Sequence, residues 1–183
     1  GLMPVTAMTA VAVCDAVERA CGTRPQIKWT NDLLLGGKKI AGILTEMTLH
    51  AGSVEALIIG VGINVRQVAA DFTPEVAEMA TSLSAALGKA VSRPHLAAEM
   101  LAALDRMGDA LGGDLTAWVE RYRKDCVTLG RPVRLLWREG ASREAVALDV
   151  DEQFGLQVRY RDGSTKTIRS GEVSVRGLYG YVE

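Results

Sequence analysis

The segment from Ile27 to Asn64 constrains the fold of this chain more than any other. It contains three apolar, strand-like runs joined by tight turns. Gly36-Gly37 separates two of these runs and predicts a hairpin, because glycine adopts positive φ without a steric penalty. The third run, Ala56–Ile63, has no polar side chain on either face, which is typical of a strand that is buried on both sides.

Composition is that of an ordinary globular protein. The 183 residues suffice for one domain, or for one domain and a small second one, and 48% of them are hydrophobic. A formal net charge of −1 gives no general electrostatic reason to expect nucleic acid or an anionic membrane as a partner. No apolar run has the length of a membrane span, and Gly1–Cys21 is typical of an amphipathic helix rather than of a secretory signal.

Cysteine and histidine usage favours a reduced protein without a zinc site. Cys14 and Cys21 lie on one predicted helix, too far apart to bridge, and Cys126 is distant in sequence. We therefore expect reduced thiols and a cytoplasmic location. His50 and His95 have no neighbouring ligand at metal spacing, so no zinc site is predicted.

The first part of the chain predicts an α+β arrangement, with a sheet packed against helices. Strands are expected around Ile27–Trp29 and on both sides of Gly36-Gly37, with a second hairpin turn at His50–Ser53. Apolar residues at helical spacing predict helices at Val5–Ala20, at Thr81–Gly88, from Arg93 to Leu111 and around Leu115–Tyr122.

The apolar pattern changes from a helical period to a period of two around Cys126–Arg131. Strands are expected at Pro132–Trp137, Glu144–Val150, Leu156–Tyr160 and Thr165–Ile168, with turns at Glu139-Gly140, Asp151-Glu152 and Asp162-Gly163. Short strands at this spacing form a small antiparallel barrel or meander. We therefore divide the chain into residues 1–125 and residues 126–183.

Polar side chains at the ends of the strand-like runs are the candidates for chemistry. They are Lys28, Asn31, Asp32, Lys39 and Asn64. Two lysines, a carboxylate and two amides near one sheet edge suit a ligand that carries phosphate. Glycine within a strand, as at positions 42, 60 and 62, often lets a ligand approach the backbone. The same residues also fit plain turns and a solvated hairpin tip, so the pattern alone indicates only a pocket for an anionic ligand.

Three ordered motifs resemble the catalytic domain of bacterial biotin protein ligases (biotin–[acetyl-CoA-carboxylase] ligases). They are Lys28–Asp32, Lys39–Glu46 and Gly60–Val65. The family pattern is Lys-Trp-Pro-Asn-Asp, Lys-Leu-Ala-Gly-Ile-Leu-Val-Glu and Gly-Ile-Gly-Ile-Asn-Val, in this order and at this spacing. The tail resembles the family's SH3-like C-terminal domain through Leu129–Val133 and Gly171–Ser174. The resemblance implies an α+β catalytic fold with a mixed or antiparallel sheet, followed by a small SH3-like β-barrel.

The resemblance also implies a two-step reaction. Biotin and ATP give biotinyl-5′-adenylate and pyrophosphate with Mg²⁺, and a lysine of a biotin carboxyl carrier protein then takes the biotinyl group. By this resemblance Lys39 is the catalytic lysine, which contacts the biotin carboxylate and the α-phosphate. By the same resemblance Asp32 is the expected ligand of Mg²⁺ or the group that contacts the incoming lysine. The implied ligand-binding residues are Lys28, Asn31, Asp32, Gly42, Gly62 and Asn64.

The sequence departs from the family pattern in two places. Thr30 stands where the family has proline, which keeps the turn but removes a fixed φ. The family's Gly-Arg-Gly-Arg-x-Gly-Arg-x-Trp biotin loop is expected upstream of the first helix, where the given sequence begins. We therefore expect weak adenylation, or none, by this polypeptide alone. We also expect an exposed sheet edge or apolar patch that favours dimerisation or aggregation.

Two other functions fit part of the pattern. A non-catalytic module would bind adenine nucleotide or a carrier domain, but it would not need both Lys39 and Asn64. A lipoate–protein ligase shares the fold, but Gly-Ile-Asn after the third run and Lys-Trp-x-Asn-Asp favour biotin. The expected partner is the carrier protein, with a homodimer as a further option and with no nucleic acid or membrane partner for this chain.

Overall fold

A computed structural model describes residues 2–50, 52–136, 142–169 and 174–176 of the chain. The helices are α1 (Leu2–Cys21), α2 (Pro74–Met79), α3 (Leu83–Leu87), α4 (Arg93–Ala110) and α5 (Thr116–Asp125). The strands are β1 (Gln26–Lys28), β2 (Asp32–Leu35), β3 (Lys38–His50), β4 (Ser53–Ile63), β5 (Pro132–Leu136), β6 (Ser142–Val150), β7 (Leu156–Tyr160), β8 (Thr165–Ile168) and β9 (Ser174–Arg176). The α+β class is therefore confirmed.

Helix α1 forms the centre of the first part of the chain. Its sequence of valine, alanine and methionine is apolar nearly all round, and most of its residues are buried. It packs against β3 and against α4 and α5. A helix that is covered on several sides needs apolar residues on all of them, which explains its composition. Gly22 ends the helix as predicted, and its N–H donates to the Glu18 carbonyl at 2.8 Å.

The first sheet has the order β1-β2-β3-β4, with every neighbouring pair antiparallel. The predicted hairpin at Gly36 and Gly37 is confirmed, and both residues have positive φ, of 59° and 80°. Strands β3 and β4 form the second hairpin, which turns between His50 and Ser53 as expected. Both hairpins deliver their ends to one region of the sheet, where Asp32 pairs with Gly42 and Gly42 with Gly62.

The prediction that Ala56–Ile63 is buried on both sides is wrong. Strand β4 is an edge of the sheet within the described residues, and its Leu57 and Ile58 side chains are 43% and 53% exposed. Leu44 and Leu49 on β3 are also exposed. Apolar composition shows that a strand can be covered, but burial depends on whether another element packs against it. The exposed apolar patch that the sequence predicted is therefore present.

The helices outside α1 agree with the sequence except for part of α4. Ser82 caps α3, since its side chain accepts a hydrogen bond from the Ala85 N–H. Leu96 and Met107 of α4 are buried as predicted, but Leu101 is 66% exposed. Ala103 is buried on α4 instead of Leu101. The face of α4 that meets α1 is narrower than the set of apolar residues along this helix, so Leu101 lies outside that face.

The second sheet has the order β8-β7-β6-β5-β9, with every neighbouring pair antiparallel. It confirms the predicted meander and matches an SH3-like arrangement, although it does not close into a barrel within the described residues. The Asp162-Gly163 hairpin is confirmed, with Gly163 at φ 83° and Asp162 accepting from the Ser164 N–H. Trp137, the Glu139-Gly140 turn and the 171–173 part of the C-terminal motif lie outside the described residues.

The two parts of the chain share one hydrophobic core. The Val127 N–H donates to the Ile27 carbonyl at 2.9 Å, and Arg123 on α5 pairs with Asp149 on β6 at 2.8 Å. The division at residue 125 therefore stays a prediction. In the part of the chain described here, no helix is both long and apolar enough to cross a membrane.

Candidate active site

The predicted site residues meet at a depression of about 510 Å³ at the end of the first sheet. Its lining includes Asn31, Asp32, Lys39, Gly42, Gly60 and Gly62. The other two candidates lie beside it: Lys28 is the cross-strand partner of Asp32, and Asn64 directly follows β4. Residues distant in sequence therefore share one surface, as a binding site requires.

Lys39 and Asp32, which both line the depression, form an ion pair. The Lys39 Nζ atom lies 2.5 Å from Asp32 Oδ1, and their side chains are 33% and 16% exposed. In a regular strand Lys39 would point away from Asp32, because Asp32 pairs with Gly42, three residues further along β3. A bulge lets Leu34 pair with Lys39 while Leu33 pairs with Ala41, which returns Lys39 to the face of Asp32.

Glycine forms the floor under this ion pair. A Cβ atom on Gly42 would lie 3.3 Å from both Cε and Nζ of Lys39 and 3.6 Å from Asp32 Oδ1. Gly62 pairs with Gly42 on the neighbouring strand, and a Cβ atom there would meet only the Gly42 carbonyl, at 3.9 Å. The two glycines therefore leave a strip of bare backbone on which a flat ligand can lie.

The side chains of Asn31 and Asn64 differ in their hydrogen bonding to the rest of the protein. The Asn31 amide donates to the Ile43 carbonyl at 2.7 Å, and the Asn31 carbonyl accepts from the Ile43 N–H at 3.0 Å. Asn64 is held by its backbone alone: its N–H donates to the Ile40 carbonyl and its carbonyl accepts from Leu83. Across residues 2–50, 52–136 and 142–169, the Asn64 side-chain amide has no hydrogen-bond partner. Asn31 thus fixes the turn to β3, whereas the Asn64 amide is available for a ligand.

Lys28 is only 4% exposed although it carries a charge. It lies opposite Asp32 in the β1–β2 pairing, so its backbone is next to the ion pair. Burial of an ammonium group is expensive unless the group is paired. Lys28 does have interactions within the described part of the chain.

The turn that precedes Asn31 is held by residues that the sequence analysis did not identify as functional. Tyr122 donates its hydroxyl hydrogen to the Thr30 carbonyl at 3.0 Å, and the Trp29 indole N–H donates to the Phe154 carbonyl at 2.9 Å. Tyr122 is fully buried, which raises the pKa of its hydroxyl well above the ordinary value. Aromatic residues in helical or strand patterns give no signal of such contacts, because they are indistinguishable from ordinary core residues.

The donor set for a metal is small. In the described ranges of the chain, no group of three or more histidine, cysteine, aspartate or glutamate residues could hold a metal ion. Asp32 contributes one carboxylate, and Lys39 occupies its Oδ1 atom. Mg²⁺ commonly binds through one or two carboxylates together with the phosphates of a substrate. Asp32 therefore fits a magnesium ion that arrives with a nucleotide.

Comparison with known proteins gives the family. Residues 4–64 match the model of the biotin/lipoate A/B protein ligase family, and residues 128–176 match the biotin protein ligase C-terminal domain. The chain belongs to the biotin protein ligase family. The matched segments contain every predicted site residue and most of the second sheet. The family resemblance drawn from the three motifs is therefore confirmed.

Curated relatives of this family are longer than the present chain. The bifunctional ligase/repressor BirA of Bacillus subtilis is 40% identical over 138 residues, which are 75% of this chain and 38% of that protein. The biotin–[acetyl-CoA-carboxylase] ligase of Mycobacterium tuberculosis is 30% identical over 166 residues, 89% of this chain and 59% of the relative. The chain thus spans less than two thirds of the length of either relative.

Solved structures of the family share the fold. The apo biotin protein ligase of Aquifex aeolicus superimposes with a TM-score of 0.83 at 26% identity, over 96% of this chain and 75% of that one. The complex of the same ligase with biotin and ATP gives a TM-score of 0.82 at 25% identity, over 96% and 72%. The biotin ligase fold with a C-terminal SH3-like domain is therefore shown for this chain.

Proposed function

We propose that this chain carries the adenylate-forming site of an ATP-dependent biotin–protein ligase. A biotin carboxylate oxygen attacks the α-phosphorus of ATP, the bond to the β-phosphate oxygen breaks, and pyrophosphate leaves. An amine of a carrier-protein lysine then attacks the acyl carbon of biotinyl-5′-adenylate, forms the amide, and releases AMP. The observation that carries the proposal is the Lys39–Asp32 ion pair above the bare backbone of Gly42, within the segment that matches the ligase family.

Lys39 supplies positive charge at the point where two negatively charged groups of the substrates must approach each other. The attacking carboxylate and the α-phosphate are both anionic, and a fixed ammonium group lowers the barrier to bringing them together. Asp32 holds the Lys39 ammonium at 2.5 Å over the floor, so the group is already directed into the depression. We assign Lys39 as the catalytic residue on this basis.

The remaining site residues bind the substrates. Gly42 and Gly62 give the backbone space for the biotin ring, and the unengaged Asn64 amide suits the donors and acceptors of adenine. Asn31 and Asp32 lie beside the adenylate, and Lys28 is on the phosphate side. Mg²⁺, when bound with ATP, neutralises phosphate charge, and Asp32 is the residue that would hold it.

The partner follows from the reaction and from the names of the relatives. A biotin carboxyl carrier protein, such as that of acetyl-CoA carboxylase, supplies the acceptor lysine. We place this chemistry in the cytoplasm, in agreement with three buried free cysteines. The lipoate–protein ligase alternative is not favoured, since the curated relatives described above are named as biotin ligases or as BirA.

A homodimer is a further proposal, which rests on the exposed apolar side chains of β3 and β4. Leu44, Leu49 and Ile58 are each more than half exposed, at 63%, 59% and 53%. A sheet edge with such side chains readily pairs with another chain. Analytical ultracentrifugation over a range of concentrations tests this proposal, and a monomer at the highest concentration contradicts it.

The test of the proposed function is biotin-dependent ATP–pyrophosphate exchange on the purified chain. Lys39→Ala should reduce the exchange by about 10²-fold to 10³-fold, since it removes a charge directed at the reacting groups. Lys38→Ala is the matched control, because Lys38 is the adjacent lysine and its ammonium donates to the Ala77 carbonyl. Equal exchange by the wild type and Lys39→Ala contradicts the assignment.

Nucleotide binding separates the ligase from the non-catalytic alternative. Calorimetric titration with ATP should show binding that Lys39→Ala and Asn64→Ala each weaken. Binding without any exchange would support a nucleotide-binding module instead. Absence of both binding and exchange would contradict both functions for this polypeptide.

A further inference from the structure

We propose that Tyr122 and Phe154 are positioning residues for the adenylate site, because together they fix the turn that presents Asn31 and Asp32. This inference rests on the proposed function, but its main observable does not depend on activity. Neither residue lines the depression, and they lie far from the site residues in sequence. Their effect on the site is therefore indirect, through the backbone of the turn.

Three buried hydrogen bonds hold Trp29 and Thr30, the two residues that precede Asn31. The Trp29 backbone N–H donates to Thr128 Oγ1 at 2.9 Å, and its indole N–H donates to the Phe154 carbonyl at 2.9 Å. The Tyr122 hydroxyl donates to the Thr30 carbonyl at 3.0 Å. All five residues are buried, with exposures between 0% and 7%. Hydrogen bonds in such surroundings are strong and hold one conformation, since a broken one leaves a buried polar group unpaired.

On its other side the same turn is tied to the site itself. Asn31 exchanges two hydrogen bonds with Ile43, and Asp32 pairs with Gly42 and with the Lys39 ammonium. The turn is thus held between the floor of the site and the second part of the chain. If the Tyr122 or Trp29 contacts change, Asn31 and Asp32 must shift as well, because they are the next residues along the backbone.

Phe154 has a backbone conformation that bulky residues rarely adopt. Its φ is 62°, in the left-handed region that favours glycine. The turn around it is built by Asp151, whose Oδ1 atom accepts from the N–H groups of Gln153 and Gly155 at 2.9 and 2.8 Å. Glycine would satisfy this turn without strain. The turn alone therefore does not explain a phenylalanine.

The aromatic ring of Phe154 explains its presence. The ring packs edge-on against Tyr122, with centroids 5.4 Å apart and planes at 77°. Its carbonyl at the same time accepts the hydrogen bond from the Trp29 indole. One strained residue thus orients both groups that hold the turn, which is the pattern expected where strain serves positioning.

A second contact between the same elements serves as the control. Arg123, one residue after Tyr122, donates to Asp149 at 2.8 Å and to the Val150 carbonyl at 2.8 Å. This contact also joins α5 to the second sheet, but it does not touch residues 29–32. Arg123→Gln therefore weakens the association of the two parts without altering the turn.

The experiment compares Tyr122→Phe with Arg123→Gln in the full chain. Amide hydrogen exchange of Ile43, whose N–H donates to the Asn31 carbonyl, reports on the turn. We expect Tyr122→Phe to reduce protection of this amide by about tenfold, since a buried carbonyl loses its partner, and Arg123→Gln to leave it within about twofold. Protection at α1 measures the change in global stability of each variant, and the loss at Ile43 in Tyr122→Phe should exceed the loss at α1.

Kinetics provide the functional readout. In biotin-dependent ATP–pyrophosphate exchange, Tyr122→Phe should lower kcat by about tenfold or more with an unchanged KM for biotin, because misplacement of Asp32 affects the reacting groups rather than the floor. Phe154→Leu keeps an apolar side chain at this buried position but removes the ring that packs against Tyr122, so we expect this variant also to lose Ile43 protection.

The proposal is overturned if Ile43 protection and kcat in Tyr122→Phe match those in Arg123→Gln. A wild-type chain that shows no exchange contradicts the proposed function, whereas the Ile43 amide still decides whether Tyr122 and Phe154 position the turn. The two failures are therefore distinguishable.

Discussion

The Lys39 ammonium nitrogen lies 2.5 Å from Asp32 Oδ1 because a bulge between β2 and β3 reverses the side on which Lys39 emerges. Without the extra residue, the alternation of a strand would place Lys39 and Asp32 on opposite faces of the sheet. The sequence Lys38-Lys39 offers two adjacent lysines, and this irregularity selects the second one for the site. The bulge is therefore part of the construction of the candidate site.

Asp32→Asn tests the role of the ion pair. Asparagine keeps the size of the side chain but removes the charge that holds Lys39, so we expect exchange activity to fall by about tenfold or more. The free energy of unfolding should change by less than about 1 kcal/mol, because the Lys39 side chain is one-third exposed and solvent screens the pair. Chemical denaturation and ATP–pyrophosphate exchange on the same preparation check both parts. If the free energy of unfolding falls by as much as the free energy that corresponds to the lost exchange activity, this role of the ion pair is contradicted.

Gly42→Ala tests the floor of the site. The new Cβ atom would lie 3.3 Å from Lys39 Cε and Nζ, so the end of the lysine side chain must shift by a few tenths of an ångström. We expect weaker ATP and biotin binding in calorimetry with little loss of stability, because the displaced group is the flexible end of a side chain. Gly108→Ala on α4 is the control, since no atom lies within 4 Å of its added Cβ. Unchanged binding in Gly42→Ala would show that the lysine is not held over this backbone.

The Gly108→Ala control carries a prediction of its own. Glycine within a helix costs about 0.5–1 kcal/mol relative to alanine, so this substitution should raise the free energy of unfolding by about that amount. Gly88→Ala should instead lower it, because Gly88 follows α3 with φ 63°. Thermal melts of the two variants test the pair, and a shift in the same direction for both would contradict the prediction.

Local pattern predicted most of the secondary structure, and most of the residues that it proposed for a site line one depression. The Gly36-Gly37 and Asp162-Gly163 hairpins were predictable because turn chemistry is local. The motifs around Lys39 and Gly62 identified the site through a family resemblance, although spacing alone indicated only an anionic ligand. The contact between Lys39 and Asp32 was not predictable in detail, since it depends on a bulge that no residue type in β2 or β3 predicts.

Burial was the least predictable property. Leu57, Ile58 and Leu101 are apolar yet exposed, because a strand or helix face becomes buried only where another element covers it. The roles of Tyr122 and Phe154 were hidden for a related reason. Their hydrogen-bonding partners, Thr30 and Trp29, are distant in sequence, and an aromatic residue at core spacing is normally only a packing residue.

The cysteines should be unreactive in the folded protein. Cys14, Cys21 and Cys126 are at most 7% exposed, and burial raises the pKa of all three thiols, that of Cys126 to about 11. Because the thiolate is the reactive form, Ellman's reagent at pH 8 should label the native chain slowly and titrate 3 thiols only after denaturation. Rapid labelling of a native thiol would show that one of these sites opens.

Asp15 should make stability depend on pH in the acidic range. Burial alone would raise the pKa of this carboxyl, but hydrogen bonds from Arg121 and Arg24 outweigh it and hold the pKa below the ordinary 3.8. A depressed pKa in the folded state stabilises the fold above the unfolded-state value, and this contribution is lost as the pH falls through the folded-state pKa.

Asp15→Asn should therefore lower the free energy of unfolding at pH 7 by about 1.5–3 kcal/mol, the range for hydrogen bonds to charged groups. The difference from the wild type should shrink as the pH falls from 4 towards 2, where the wild-type carboxyl also loses its charge. Urea denaturation at several pH values measures this difference. Asp105→Asn, on the exposed face of α4, serves as the control substitution. A difference between Asp15→Asn and the wild type that stays constant from pH 7 to pH 2 would contradict the assignment, because the lost contribution would then not come from the ionised carboxylate.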